Sequence, residues 1–379
     1  ISGTNGKTTT AKLIETILKN DNMKVFTNSS GANLSNGIAS TLILNSSITG
    51  KINKDFAIFE VDENALPRIT KLIEPDYIIA LNLFRDQLDR YGELDSISKK
   101  WQEAYKELKK TTFILNADDP LIAYLGKYQK SVYYFGLENK TIGYASAQHA
   151  SDSILCPNCS ERLTFSTYYF SHLGKWECLN CKLKRPALTI SKFSVYPLLG
   201  TYSKYNVLAS VLLAKKLGIS ERKIETAFKK FKAPFGRQEE INAYGKKIKM
   251  FLSKNPTSFN ESLRTINKEN PKNLLIALND KIPDGTDVSW IWDVDFETLI
   301  DKKTKLYLAG DRVYDLALRV KYSGSRNVKD VVFENLEDAI FTGLKNTSAS
   351  EVFYILPTYS AMLEARKHLT GRKILWNII

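Results

Sequence analysis

Short apolar runs alternate with longer amphipathic stretches from residue 1 to about residue 145. Ala11–Asn20 has the apolar spacing of a helix, and apolar runs that begin at Asp55, Tyr77 and Thr112 are typical of buried strands. Strands that alternate with helices predict a parallel sheet with helices on both faces. This part of the chain is therefore predicted to be an α/β domain.

The same alternation starts again in the last third of the chain. Before it, helical patterns follow Thr201 and cover Glu221–Phe231, and the stretch Ala233–Glu239 contains the Pro and Gly typical of a linker. Beyond this linker, predicted strands cover 247–253, 273–279, 305–309, 331–334 and 351–356. Predicted helices cover 258–268, 313–322, 336–344 and 360–369.

These patterns predict two domains. The first covers residues 1–232, a hinge covers 233–240, and a smaller, doubly wound Rossmann-like domain covers 241–379.

A Gly-rich loop at the start of the chain runs directly into the first predicted helix. Residues 1–10 read ISGTNGKTTT. Backbone N–H groups of such a loop bind phosphate, its Lys neutralises the outer phosphates, and its Thr hydroxyl coordinates Mg²⁺. We therefore predict ATP binding, and a chance Gly/Lys loop is the alternative. The predicted contacts are Gly3, Thr4, Asn5, Gly6, Lys7, Thr8 and Thr9.

An acidic strand end is the second part of the predicted site. The apolar run from Asp55 ends in Glu60, Asp62 and Glu63. A carboxylate at a strand end beside a phosphate loop is well placed to hold Mg²⁺. We predict that Glu60 and Thr8 bind Mg²⁺ and that Glu60 and Lys7 are catalytic. An ordinary strand followed by a polar turn is the alternative.

All four cysteines lie in two Cys-x-x-Cys pairs. Cys156 and Cys159 form the first pair, and Cys178 and Cys181 follow after eighteen residues. This spacing is typical of four thiolates around one structural Zn²⁺. Residues 150–190 are therefore predicted to be a zinc ribbon inserted into the first domain. Two disulfides are the alternative, which a cytosolic, nucleotide-dependent enzyme disfavours.

The charge balance narrows the class of substrate. The chain has a formal net charge of +13, but its Lys and Arg are dispersed and no nucleic-acid-binding module is recognisable. We expect an anionic or membrane-anchored substrate and no nucleic acid. No apolar run has the length of a membrane span. Because Ile1 stands directly at the loop, we expect the natural protein to contain residues before it.

The loop and several strand ends resemble those of the Mur ligases and folylpolyglutamate synthetases. The form Gly-Thr-Asn-Gly-Lys-Thr-Thr is similar to their phosphate loop. The stretch 82–93, which begins with Asn82, and the loop Asn116–Pro120 resemble further Mur-ligase segments. The resemblance implies a Mur-ligase-like central ATPase domain that makes amide bonds through an acyl-phosphate.

The resemblance also implies a nucleotide contact from a helix start. Mur ligases carry Gly-x-His-Asn-x-x-Asn, and this chain has Gly200, then Tyr202 and Ser203 in place of His and the first Asn. The last Asn is retained as Asn206, so Asn206 is the implied nucleotide contact. A helix-opening polar residue is the alternative.

Two segments near the predicted hinge imply further nucleotide contacts. Gly236–Glu239 is similar to the Gly-Arg-x-Glu hinge of the family, whose Arg corresponds to Arg237; an exposed linker Arg is the alternative. Lys254 and Asn255 stand where many Mur ligases carry a motif that ends in Asn-Pro. A strand end of this kind suits a domain that closes over the nucleotide.

Over essentially its whole length, the chain resembles the MurT family, the synthetase subunits of lipid II isoglutaminyl synthase. The resemblance rests on the phosphate loop, the cysteine ribbon, the Lys-Asn-Pro segment and the stretch DGTDVSWIWD at 284–293. It implies that ATP phosphorylates the α-carboxylate of D-Glu in the lipid II stem peptide. Ammonia then attacks the acyl-phosphate and gives D-isoglutamine. The implied location is the cytoplasm, at the inner face of the bacterial plasma membrane.

The resemblance further implies a GatD-type glutamine amidotransferase as partner. No cysteine lies outside the two pairs, so the chain has no thiol nucleophile for glutamine hydrolysis. An Asp of the C-terminal domain is implied to complete the partner's Cys-His pair, and Asp293 and Asp287 are the candidates. A stand-alone amino-acid-adding ligase and a non-catalytic ATP-binding scaffold are the alternative functions.

Overall fold

Two units make up the chain, residues 1–232 and 233–379. The computed structural model describes residues 1–28, 32–85, 94–138, 143, 151–299, 303–324 and 331–371. Among these residues, no helix combines the length and the apolar character that crossing a bilayer requires.

A layer of parallel strands carries the Gly-rich loop in the first unit. Ile1 and Ser2 lie in the middle of this layer, since the backbone nitrogen of Ile1 donates to Phe59 O and that of Ser2 donates to Ile79 O. The Gly-rich loop therefore starts at the carboxyl edge of the layer, where ligands of such sheets bind. The strands are β1 (Val25–Thr27), β2 (Phe56–Ile58), β3 (Tyr77–Ala80), β4 (Thr112–Asn116) and β5 (Val132–Phe135).

Helices cover both faces of this layer, as the apolar periodicity predicts. One core includes Leu13 and Ile17 of the first helix, and the core on the other face includes Trp101. The first helix begins at Lys7, earlier than predicted, because the left-handed Gly6 ends the loop there. The helices are α1 (Lys7–Asn20), α2 (Ser35–Asn45), α3 (Leu66–Leu72), α4 (Leu94–Glu107), α5 (Pro120–Leu125), α6 (Thr201–Lys216) and α7 (Glu221–Lys229).

An antiparallel hairpin forms the body of the predicted ribbon. Its strands are β6 (Thr164–Phe170) and β7 (Leu173–Glu177), and the turn between them consists of Ser171 and His172. Both turn residues are completely buried. Turns normally lie at the surface, so the burial of these two residues means that the hairpin tip is packed into the domain.

A five-stranded sheet forms the centre of the second unit. Apolar cores lie on both of its faces, so the doubly wound α/β arrangement predicted here is confirmed. Its strands are β8 (Arg237–Ala243), β9 (Lys246–Phe251), β10 (Asn273–Ala277), β11 (Lys305–Ala309) and β12 (Val352–Pro357). They lie side by side in the order β11-β10-β12-β9-β8. Its helices are α8 (Pro256–Lys268), α9 (Phe296–Leu299), α10 (Val313–Tyr322), α11 (Leu336–Lys345) and α12 (Tyr359–Thr370).

Two parts of this unit differ from the elements predicted. The predicted hinge covers residues 233–240, but the antiparallel edge strand β8 already begins at Arg237. Tyr244 and Gly245 both have positive φ, and such a two-residue turn matches the twist of paired antiparallel strands. The predicted strand at 331–334 is reduced to a single bridge between Leu308 and Val332.

Candidate functional site

The two glycines of the loop are required by close backbone and side-chain packing. Gly3 has φ +137°, and a Cβ there would lie 2.9 Å from the backbone nitrogen and oxygen of Asn82. Gly6 has φ +98°, and a Cβ there would lie 2.2 Å from Oδ1 of Asn206. The loop is thus pressed between a strand end and helix α6, and only glycine fits at both positions.

Asn82 clamps the loop through its side chain. The backbone nitrogen of Asn5 donates to Asn82 Oδ1 at 2.8 Å, and Asn82 Nδ2 donates to the carbonyl of Asn5 at 2.9 Å. Thr4 adds a second attachment, since its hydroxyl accepts from the backbone nitrogen of Phe84 at 3.0 Å. The loop therefore has a fixed shape. Residues 86–93 of the family-like stretch that follows lie outside the described residues.

Lys7 begins α1 and turns back over the loop. Its ammonium donates to the carbonyl of Gly3 at 2.6 Å and lies 3.2 Å from a carboxylate oxygen of Glu63. Glu63 is held in place because its carbonyl accepts from Trp101 Nε1 at 2.7 Å. A nearly buried ammonium of this kind supplies a point charge for phosphate oxygens.

Thr8 and Glu60 meet beside the loop. The Thr8 hydroxyl donates to a carboxylate oxygen of Glu60 at 2.7 Å. The backbone of Glu60 is fixed by Asn28, whose side chain accepts from its nitrogen at 2.8 Å and donates to its carbonyl at 2.9 Å. A hydroxyl and a carboxylate at hydrogen-bond distance are oxygen ligands of the kind that Mg²⁺ prefers.

The remaining predicted residues of the first unit lie on helices. Thr9 is on the buried side of α1, and Asn206 is a buried residue of α6 whose side chain packs against Gly6. The hydroxyl of Ser203, where Mur ligases carry Asn, donates to the carbonyls of Leu198 and Gly200. The structure therefore brings Asn206 to the loop, while Ser203 stabilises the start of α6.

The predicted contacts of the second unit share one edge of its sheet. Arg237 starts β8 opposite Phe251, the last residue of β9, and Lys254 and Asn255 lie three and four residues after Phe251. Asn255 is buried and its side chain accepts from the backbone nitrogen of Ser258 at 2.8 Å, which caps α8. Asn255 thus has a structural task, and a nucleotide contact from these three residues stays a prediction.

Asp287 and Asp293 lie in the segment between β10 and α9. Asp287 is exposed, and hydrogen bonding to the backbone of Ser289 lowers the pKa of its carboxyl. Asp293 is half-buried and ends a short 3-10 helix, Ser289–Asp293. The neighbouring Trp292 is half-exposed and packs against Tyr322 with ring centroids 5.8 Å apart. A role for either Asp in a partner's site stays a prediction.

The four cysteines form one cluster. All four Sγ atoms lie within 4.8 Å of one another, with 3.6 Å between Cys156 and Cys181 and 3.5 Å between Cys159 and Cys178. Tetrahedral Zn–S bonds of about 2.3 Å place sulfurs about 3.8 Å apart, whereas a disulfide needs about 2.05 Å. The cluster therefore fits one metal ion rather than two disulfides.

Matching backbone turns build the two halves of the cluster. The nitrogen of Ser160 donates to the carbonyl of Cys156 at 2.8 Å, and that of Lys182 donates to the carbonyl of Cys178 at 3.0 Å. Ser160 and Lys182 have φ values of +63° and +61°. The two Cys-x-x-Cys pairs thus fold alike and present their sulfurs to a common point.

Three alternate residues of the ribbon contact the three consecutive residues that follow β4. Trp176 Nε1 donates to the carbonyl of Ala117 at 3.0 Å, and the nitrogen of Gly174 donates to that of Asp118 at 3.0 Å. His172 Nε2 lies 3.4 Å from a carboxylate oxygen of Asp119. The ribbon is therefore a packed part of the first unit, on the sheet edge that carries the Gly-rich loop.

Asp118, where the ribbon meets the residues after β4, has a carboxyl with a strongly shifted pKa. Burial raises its pKa to about 6, although Arg185 lies 2.6 Å away and Tyr205 donates to it at 2.7 Å. Burial disfavours the charged form more than these partners favour it. The carboxylate ties the ribbon, through Arg185, to α6, through Tyr205.

Four supporting residues were not predicted as site residues: Asn28, Glu63, Asn82 and Asp119. Each stands at or just beyond the end of a strand of the first unit. The strand-end position is the sequence signal that could have identified them, since the carboxyl ends of parallel strands converge at one edge. Their individual partners depend on contacts between distant residues.

Two known families match the chain. Residues 1–214 match the Mur ligase middle domain, and residues 252–362 match the MurT ligase C-terminal family. The first match contains the Gly-rich loop, Glu60 and the cysteine cluster, and the second contains Lys254, Asn255 and both candidate aspartates.

Individual proteins agree with these matches. The MurT subunit of lipid II isoglutaminyl synthase (glutamine-hydrolyzing) from Streptococcus pneumoniae is 34% identical, over 99% of this chain and 87% of that protein. A pseudomurein peptide ligase type C from Methanothermus fervidus has a TM-score of 0.70 at 23% identity, covering 97% of this chain and 77% of that one. MurF ligase from Thermotoga maritima in complex with ADP has a TM-score of 0.61 at 15% identity, covering 96% and 78%. The chain therefore belongs to the Mur ligase family, within the group of MurT subunits.

Proposed function

We propose that this chain is the ATP-dependent synthetase subunit of a lipid II isoglutaminyl synthase. The observation that carries the proposal is the arrangement of Lys7, Thr8 and Glu60 around a phosphate loop, in a chain 34% identical to a subunit of that enzyme over 99% of its length. The proposed reaction amidates the α-carboxylate of D-Glu in the lipid II stem peptide to D-isoglutamine.

The loop residues suit the first half of this reaction. A carboxylate oxygen of D-Glu attacks the γ-phosphorus of ATP, the bond to the bridging oxygen breaks, and ADP leaves. Phosphoryl transfer is catalysed mainly by positioning and charge neutralisation. Lys7 and the N–H groups of the loop supply positive charge and dipoles. When bound, Mg²⁺ would be held by Thr8 and Glu60 and would neutralise charge on the phosphates.

The second half needs ammonia. Ammonia attacks the acyl carbon, the C–O bond to phosphate breaks, and the amide, phosphate and a proton result. Free ammonia is scarce at neutral pH, and the four cysteines of the chain all lie in the cysteine cluster, so the chain has no other thiol to release ammonia from glutamine. We propose that a GatD-type glutaminase subunit supplies the ammonia and that Asp293 or Asp287 completes its Cys-His pair.

The cysteine cluster is proposed to hold Zn²⁺ with a structural role. Four thiolates leave no open coordination position for a substrate, and such sites stabilise folds rather than catalyse reactions. We propose that the chain acts at the inner face of the bacterial plasma membrane, because the proposed reaction uses both ATP and a lipid-linked substrate.

The deciding experiment reconstitutes the chain with a glutaminase subunit, glutamine, ATP, Mg²⁺ and lipid II. Mass spectrometry should detect replacement of the acid by the amide, which lowers the mass by about one unit, as expected for this reaction class. Lys7→Ala and Glu60→Ala should each abolish product formation, while the variants still bind the glutaminase subunit and retain the metal of the ribbon.

The other outcomes of this experiment contradict the proposal. Amidation that persists in both variants would make the chain a non-catalytic ATP-binding scaffold. Product formed from free amino acids and a UDP-linked precursor, without the second protein, would make it a stand-alone ligase.

A further inference from the structure

The tip of the ribbon hairpin is buried against the strand end that supports the phosphate loop. Ser171 and His172 at the tip are completely buried. The ring of Phe84, which lies four residues after the end of β3, packs against two residues of the hairpin. Its centroid lies 5.2 Å from that of Phe170 and 4.7 Å from that of His172.

A carboxylate connects this tip to the backbone of the same strand end. One oxygen of Asp119 accepts from the backbone nitrogen of Leu83 at 2.8 Å and lies 3.4 Å from Nε2 of His172. The other oxygen of Asp119 accepts from the first turn of α5, so the carboxylate cannot move freely. The Asp119 carboxylate is therefore held by the backbone on two sides, and His172 contacts it from a third.

The strand end in turn holds the phosphate loop. Phe84 exchanges hydrogen bonds with the hydroxyl of Thr4, at 3.0 Å from its nitrogen and 3.1 Å to its carbonyl. Asn82 accepts from the backbone nitrogens of Thr4 and Asn5. The hairpin tip is thus separated from the phosphate-binding backbone by one layer of residues.

We propose that the ribbon positions the phosphate loop, with His172 as the positioning residue, so that nucleotide affinity depends on the metal state of the four cysteines. The cluster lies at the base of the hairpin, and a ribbon of this kind loses its fold without metal. Loss of the fold would withdraw His172 from Asp119 and Phe170 from Phe84. Leu83 and Phe84 would then lose the support that fixes Thr4.

The buried face of His172 agrees with a positioning task. Its Nδ1 has no hydrogen-bond partner among the described residues, and its ring is fully enclosed. A surface turn of a ribbon has no need of such a residue, because a buried polar atom without a partner costs free energy. The buried position of His172 is explained if its ring is needed to hold Asp119 and Phe84 in place.

Linkage makes the dependence reciprocal. If metal in the ribbon strengthens nucleotide binding by a certain factor, bound nucleotide must strengthen metal binding by the same factor. This relation gives a readout that is independent of catalysis.

The experiment measures the Kd of an ATP analogue with Mg²⁺ by calorimetry on four metal-loaded proteins: wild type, His172→Ala, His172→Gln and His368→Ala. We expect about tenfold weaker binding for His172→Ala, since a hydrogen bond to a charged group is lost. His172→Gln keeps a nitrogen donor and should stay within about threefold of wild type. His368 also lies beside a carboxylate, that of Glu337 at 3.5 Å, but in the second unit, and its variant should bind normally.

A metal arm completes the test. Wild type freed of metal by a chelator, and kept dilute enough to stay in solution, should bind the analogue about tenfold more weakly. His172→Ala should lose little further on metal removal, because both changes break the same connection. Competition with a chromophoric chelator should detect tighter metal binding in the presence of the analogue. Metal analysis must confirm that His172→Ala itself retains the ion.

Several results would overturn the inference. Unchanged nucleotide affinity in His172→Ala, or in metal-free wild type, would contradict it, as would losses that add in the metal-free variant. If His172→Ala does not fold, His172→Phe, which fills the volume without a donor, takes its place against His172→Gln. The inference rests on the proposed nucleotide site, and failure of wild type to bind any nucleotide would instead refute that proposal.

Discussion

Replacement of Asn82 by Ala tests whether the phosphate loop is pre-shaped by its neighbouring strand. The side chain makes two hydrogen bonds to the backbone of Asn5, at 2.8 and 2.9 Å, and is 4% exposed. Each such bond contributes about 1 kcal/mol net, so Asn82→Ala removes about 2 kcal/mol of support from the loop. If that ordering must instead be supplied by the ligand, nucleotide affinity falls about thirtyfold.

The assay is calorimetric titration of Asn82→Ala with an ATP analogue and Mg²⁺, with circular dichroism to establish that the variant is folded. Asn273→Ala is the matched control. Asn273 is 3% exposed and its side chain also makes two hydrogen bonds, to Asn346 and Tyr307. It stands at the amino end of β10, away from any predicted nucleotide contact.

Asn273→Ala should bind the analogue within about threefold of wild type, although it loses a similar free energy of hydrogen bonding. Wild-type affinity in Asn82→Ala would refute the idea that the clamp shapes the loop. Equal weakening in both variants would mean that general destabilisation, rather than the clamp, controls binding.

Three further predictions concern the proposed metal ligands and the buried contacts of Asp118. Glu60→Gln should lower turnover at least about a hundredfold with little change in thermal stability, because it removes the negative charge from the proposed Mg²⁺ site; steady-state kinetics over a range of Mg²⁺ concentrations check this. Cys156→Ser should lose the ribbon metal and solubility, and retained metal and fold in elemental analysis and dichroism would contradict a structural site. Tyr205→Phe should cost about 2 kcal/mol in urea unfolding at pH 7.5 but under about 1 kcal/mol at pH 5, because it deletes a hydrogen bond to an ionised Asp118. Burial raises the pKa of Asp118 from 3.8 to about 6, so the folded state binds this proton more tightly than the unfolded state does. The free energy of unfolding therefore falls as the pH rises through that interval. An equal cost of Tyr205→Phe at both pH values would refute the idea that Tyr205 donates to an ionised Asp118.

Local patterns predicted much of the fold because the elements concerned have strong periodicity and clear ends. Helix α10 and strand β11 have the predicted bounds, 313–322 and 305–309. Strand β8 was missed because its pairing depends on the turn at Tyr244 and Gly245, and the preceding Pro and Gly suggested a linker. An edge strand buries only part of its residues, so its apolar signal is weak.

Motifs predicted the centre of the site but not the residues that support it. The loop, Glu60 and the four cysteines are contiguous or regularly spaced, so their chemistry is visible in the sequence. Asn82 is 77 positions from Asn5, and Asp119 is 53 positions from His172. Nothing in the local sequence around either residue specifies such a partner. Contacts of this range follow from the topology of the sheet rather than from propensity.

The place of the ribbon in the chain explains how an insertion can affect a loop so far away in sequence. The chain leaves the sheet after β5 and returns beside it, where Thr189 donates to the carbonyl of Tyr134 at 2.7 Å and Ile190 bridges Phe135. The returning segment covers β5, which would otherwise be an open edge strand. Both ends of the insertion are therefore fixed to the sheet, and its hairpin packs against the residues that follow β3 and β4. Because parallel strands gather their functional residues at that edge, the hairpin tip meets the residues that support the Gly-rich loop, and this contact is the basis of the proposed link between the cysteine cluster and the shape of the loop.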